Sequence, residues 1–150
     1  MHCFIRISLL ESTNLSNVKI DSATINDKID VLNLNKYTDS DRHSGDYRYL
    51  FDEICIDVNE NDCITSIYSR FDEGKTEITV NDISNITTID QVEEILGDNY
   101  YDGIYDWEQL LNSYVYYDRE NNIIAEFVYF NFDEESINNR VLTWIDIYRK

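Results

Sequence analysis

Three apolar runs stand close together in the last third of the sequence: residues 113–118 (SYVYYD), 122–132 (NIIAEFVYFNF) and 140–148 (RVLTWIDIY). Each is rich in β-branched and aromatic residues, and the links RENN and DEESINN are short and full of turn formers. Parallel neighbours need a crossover of about a dozen residues or more, so these runs are predicted to form an antiparallel meander. Alternation places Phe127, Tyr129 and Asn131 on one face, with Val128, Phe130 and Phe132 on the other.

The rest of the chain reads in the same way. Residues 3–9 suit a first strand, and residues 18–34 suit one or two short strands or a short helix. Residues 37–46 (YTDSDRHSGD) form a polar loop. Residues 49–58 are predicted as one strand with Ile54, Ile56 and Val58 on one face. The turn Asn59 to Asp62 then leads to a returning strand, Cys63 to Phe71. Residues 76–81 add a further short strand. One helix is clear. Thr88 and Gln91 have the spacing of a capping box, Ile89, Val92, Ile95 and Leu96 share a face, and Gly97 supplies the stop. The predicted fold is α+β: one domain over residues 1–150, mainly antiparallel sheet, with one or two short helices on one face. FDEICIDVNENDCITSIYSR echoes EFVYFNFDEESINNRVLTWIDIYR, which is the pattern of a duplicated helix–meander unit and also of any two β-hairpins.

Charge narrows function. Thirty acids against twelve Lys plus Arg give −18, and 13% of residues are aromatic. So aromatic a chain is no disordered acidic tail. It would repel phosphates, which argues against direct nucleic-acid binding and against an anionic membrane surface. No run reaches the ~18 apolar residues of a spanning helix. The opening MHCFIRISLL lacks the features of a signal peptide. Three unpatterned cysteines, Cys3, Cys55 and Cys63, read as reduced thiols in a cytoplasm.

Catalytic and metal chemistry find little support. Asp98, Asp102, Gly103 and Asp106 fall at calcium-hand positions one, five, six and nine, but Tyr100 and Gln109 occupy positions that need acidic ligands. His2 and His43 are the only histidines. His43, with Asp41, Ser44 and Asp46, reads as a solvated loop. Thirty acids guarantee some carboxylate pairs, so a pair carries no signal without geometry. We therefore expect no catalytic residue, no metal and no cofactor.

The informative stretch is residues 98–118. Tyr100, Tyr101, Tyr105, Trp107, Tyr114, Tyr116 and Tyr117 are interleaved there with acids, and residues 76–120 hold eleven acids against one base, Arg119. Tyr and Trp anchor interfaces, and neighbouring acids complement a basic partner. The expected partner-binding residues are Asp98, Tyr100, Tyr101, Asp102, Tyr105, Asp106, Trp107 and Glu108, with Asp118 and Glu120 as rim charges. About half of the tyrosines are expected in the core.

YRYLFDEICIDVNENDCITSIYSRF, GKTEITVNDISNITTIDQVEEILG and the aromatic meander together resemble the bacterial immunity proteins of polymorphic-toxin systems, nearest to those of contact-dependent growth inhibition. Tyr49 to Ile54 and Thr88 to Gly97 carry the likeness. The helix, glycine stop and three strands also resemble the unit of β-lactamase inhibitory protein and of outer-membrane assembly lipoproteins. The lipoprotein function is not carried over, for want of a lipobox. The resemblance implies a cytoplasmic antitoxin that binds one cognate toxin domain in a 1:1 complex, commonly a basic nuclease (RNase or DNase). The alternative is an acidic nucleic-acid mimic that inhibits DNA-binding or restriction proteins.

Overall fold

A computed structural model describes residues 7, 9–41, 47–71, 74–131 and 140–150. Seven antiparallel strands form the main sheet: β2 (Tyr49–Leu50), β3 (Ile54–Val58), β4 (Ile64–Arg70), β6 (Tyr101–Asp106), β7 (Leu111–Asp118), β8 (Ile123–Phe130) and β9 (Leu142–Arg149). Their order is β2-β3-β4-β9-β8-β7-β6. A second, two-stranded sheet pairs β1 (Val18–Ile20) with β5 (Ile78–Val80). Among the described residues the helix α1 (Ile89–Leu96) and two 3-10 turns at Ile29–Val31 and Leu34–Lys36 complete the named elements. The architecture is thus α+β and mainly antiparallel, as expected.

Alternation decides the inner face. Ile54 and Ile56 of β3, Ile67 of β4, Ile145 and Ile147 of β9, Ala125, Phe127 and Tyr129 of β8, and Tyr114 and Tyr116 of β7 all join one core. Val18, Ile20, Ile78 and Val80 of the small sheet cover it, together with Ile89 and Val92 of α1. The helix begins as its sequence dictates. The Thr88 hydroxyl accepts the Gln91 N–H, the Gln91 side chain accepts the Thr88 N–H, and Gly97 ends the helix at φ 92°.

β1 and β5 are built alike. Each runs into two residues of left-handed backbone, Asp21 and Ser22 in one case and Asn81 and Asp82 in the other. Each turn closes on a bridge, Ile20 to Ala23 and Val80 to Ile83. Two successive positive φ values suit the twist of a tight hairpin, and Asn and Asp tolerate them best among residues with side chains. The echoing hairpins β3–β4 and β8–β9 lie on either side of the β4–β9 seam.

Three segments differ from expectation. The single strand over 49–58 is broken at Asp52 and Glu53, where the Phe51 N–H donates to Ile54 O at 2.9 Å and turns the chain into a hairpin. Residues 98–109, polar and aromatic at once and assigned no element from the sequence, contain strand β6. Its Asp and Gly mimic turn chemistry, and the period-two pattern of Tyr101, Gly103 and Tyr105 is short. The strand expected over 3–9 is described only at Ile7 and Leu9. Ile7 is helical there, and its carbonyl accepts the Leu10 N–H at 3.0 Å. His2, Cys3, His43, Ser44, Asp46 and Phe132 lie outside the described residues. Among the described residues no helix is long and apolar enough to cross a membrane.

Candidate functional site

The β6–β7 hairpin ends one side of the main sheet. Asp106 shapes its tip, because one carboxylate oxygen accepts the N–H groups of Glu108 and Gln109 at 3.0 and 3.2 Å. Leu110 takes a positive φ of 58°, and a bulge interrupts the pairing between Ile104 and Asp106. The turn lifts apolar side chains into solvent: Trp107 is 77% exposed, Ile104 67%, and Tyr105 47%. Ile104, Trp107 and Leu110, with Asn112 and Asn131, line a shallow groove of about 230 Å³. Asp102 and Glu108 stand exposed beside it.

The surface is stiff from behind. Tyr100 stacks on Tyr114 at 3.7 Å between centroids, and its hydroxyl donates a hydrogen bond to Glu93 at 2.7 Å. Burial, and then hydrogen bonding to Tyr114 and Glu93, raises the Tyr100 phenol well above its ordinary value. Tyr114 meets Tyr129 edge-on at 5.2 Å, and the Tyr129 hydroxyl donates to Asp102 at 3.2 Å. Arg140 lies over the Tyr129 ring at 4.9 Å and pairs with Asp90 of α1 at 2.9 Å. Asp102 is thereby tied through an aromatic row to the helix.

The candidate residues divide accordingly. Tyr105, Asp106, Trp107 and Glu108 gather at the hairpin, with Asp102 on the adjoining strand. Asp98 is exposed between α1 and β6. Tyr100 is committed to its stack, and Tyr101 packs against the cluster of Ile7, Val115, Tyr117 and Ile124. Tyr114, Tyr116 and Tyr117 are core residues. Asp118, expected at the rim, is 1% exposed. It accepts Leu15 N–H at 2.9 Å and the Asn121 backbone and side-chain N–H at 3.0 and 2.8 Å. Burial pushes its carboxyl up, but these donors hold it below the usual carboxylate range. Glu120 is exposed, but it follows β7 at the end roughly 20 Å from the hairpin, at ~3.3 Å per residue. The calcium-hand spacing fails structurally, since Asp102, Gly103 and Asp106 lie in an extended strand. Among the described residues no three potential ligands gather as a metal site.

Sequence reading missed Ile104 and Leu110, which add exposed apolar area to the hairpin. It also missed a feature of the outer sheet face. Glu126 and Asp146 are direct cross-strand partners of β8 and β9. Trp144 lies nearby, with Tyr105 edge-on at 5.3 Å and Tyr68 at 6.1 Å. Burial raises both carboxyls. The Asp146 group, which also faces the charge of Glu126, is pushed up to about 6.

No family model, curated protein or solved structure matches the chain.

Proposed function

We propose that this chain is a cytoplasmic inhibitor of the immunity-protein kind, which neutralises one basic toxin domain, a nuclease, by direct 1:1 binding. The observation that carries the reading is Trp107. A tryptophan this exposed, on a stiffly backed hairpin in the most acidic stretch of the chain, serves no purpose in the core. It is the type of residue that anchors interfaces. Ile104, Tyr105 and Leu110 widen the apolar centre, and Asp98, Asp102 and Glu108 supply an acidic rim. Those charges would meet the lysines and arginines with which a nuclease holds phosphates, and would speed association.

The test is binding to the polypeptide encoded immediately upstream, by titration calorimetry at two salt concentrations. Nanomolar 1:1 binding that weakens with salt is expected. Trp107→Ala should weaken it by about 100-fold, as removal of an interface anchor does. Glu108→Lys should weaken it mainly at low salt, with the melting temperature unchanged. Asp106 is a poor choice of variant, since its carboxylate shapes the turn. Capture of many unrelated basic proteins with similar affinity would instead favour the nucleic-acid mimic. The Glu126–Asp146 pair supports a second, enzymatic reading. Asp146→Asn separates the two, because an inhibitor keeps its affinity and protection whereas an acid–base catalyst loses turnover.

A further inference from the structure

The two edges of the main sheet are finished differently. At one edge β2 has two residues, and the segment around Asp39 closes it. Ser40 N–H donates to Leu50 O at 3.4 Å, Asp52 N–H donates to Thr38 O at 2.9 Å, and Asp39 bridges to Phe51. At the other edge β6 has six residues and pairs only with β7 among the described residues. An edge strand carries a row of unpaired N–H and C=O groups, and proteins guard such edges against their own kind with charged side chains, Pro, bulges or a covering segment. The Ile104–Asp106 bulge falls at one end of β6. The strand contains no Lys, and the whole chain contains no Pro.

What β6 does carry is selective. Asp102 and Ile104 share one face of the strand, and both are exposed. A second copy of this chain would bring Asp102 and its acidic neighbours against their own kind, and like charges directly opposite one another destabilise a strand pair. A basic strand faces the reverse situation.

We propose that β6 is a docking edge, to which the basic partner adds a β-strand and so extends the seven-stranded sheet. This rests on the proposed function and specifies how that surface is used. Main-chain hydrogen bonds along residues 102–104 supply the common part of the affinity. Side chains supply selection. The incoming strand places a Lys or Arg beside Asp102 and, two residues along on the same face, an apolar residue beside Ile104 at the mouth of the Trp107–Leu110 groove. The acidic edge thus admits a cationic strand and refuses another copy of itself.

The full-length chain is tested with two synthetic peptides of alternating Lys and Val, identical except that one is N-methylated at every backbone amide, so that neither of its edges can donate to a sheet. Amide NMR titration and hydrogen exchange are read together. The expected result is at least tenfold tighter binding of the unmodified peptide, with slowed exchange at Asp102 to Ile104. Equal binding of both peptides, with shifts around Trp107 and Glu108 and no slowed exchange in β6, overturns strand addition and leaves the basic-partner reading standing. If neither peptide binds at millimolar concentration, strand addition is overturned, and the basic-partner reading is decided by the upstream polypeptide. Protection of β6 that grows with protein concentration in the absence of peptide would show a second copy as the occupant and overturn the proposal.

Discussion

Single carboxylates in this molecule have opposite effects on stability. Glu53 is buried, which pushes its carboxyl up. The Thr38 N–H at 2.8 Å and the Lys75 ammonium at 3.2 Å reverse that and hold it below the ordinary value. Asp118 behaves likewise. The stability these two contribute is present above their unfolded values, near pH 4, and is lost as pH falls through the depressed folded values. Asp146 has the reverse sign. Its folded carboxyl, raised to about 6, binds a proton that the unfolded chain releases, so its ionisation removes stability as pH rises from about 4 to about 6. The melting temperature should therefore peak just above about pH 4 and fall on both sides. Asp146→Asn should raise stability by about 1–2 kcal/mol at pH 8 and have almost no effect at pH 4, measured by urea unfolding. Asp118→Ala leaves three N–H groups without their acceptor and should cost about 2–4 kcal/mol at neutral pH. A cost below about 0.5 kcal/mol, the level of an ordinary surface substitution, would return Asp118 to the rim.

At the scale of elements, α1 depends on its first turn. Thr88→Ala removes the acceptor for the Gln91 N–H and should cost about 1 kcal/mol by chemical denaturation, with the hairpin surface unaltered. This helix was legible because every signal agreed: capping box, apolar face and glycine stop. The meander was legible for the same reason, since Phe127 and Tyr129 alternate cleanly with their neighbours and the turns are rich in Asn. β6 was illegible because its acids and its glycine carry the composition of a loop. An edge strand buries only part of one face, so too little of the apolar alternation remains to be read. The break in 49–58 was hidden differently. Asp52-Glu53 sits inside an apolar run, and the Lys75 and Thr38 partners that draw Glu53 inward lie far away in sequence. The candidate site was half legible. Composition marked residues 98–108 as a surface. Which acids were exposed depended on Leu15 and Asn121 for Asp118 and on the turn for Asp106, and neither relation has a local signature.

Across the whole molecule the net charge of −18 acts against compaction. Added salt shortens the screening length from about 30 Å at 0.01 M to about 3 Å at 1 M. The melting temperature of the isolated chain should rise by several degrees over that range, while binding to a basic partner weakens. A melting temperature that fell with salt would mean that ion pairs such as Arg140–Asp90 outweigh the general repulsion. The strand order has a further consequence, for the time course of synthesis. β9 alone joins β2-β3-β4 to β8-β7-β6, and β4 precedes it by more than seventy residues. At ~5–20 residues per second a ribosome takes on the order of ten seconds to go from Arg70 to Leu142. For that interval the flank of β4 that will receive β9 stands open and the two half-sheets are unjoined. A nascent chain stalled before Leu142 has no continuous sheet, so the candidate surface gains its full backing only after β9 has been made.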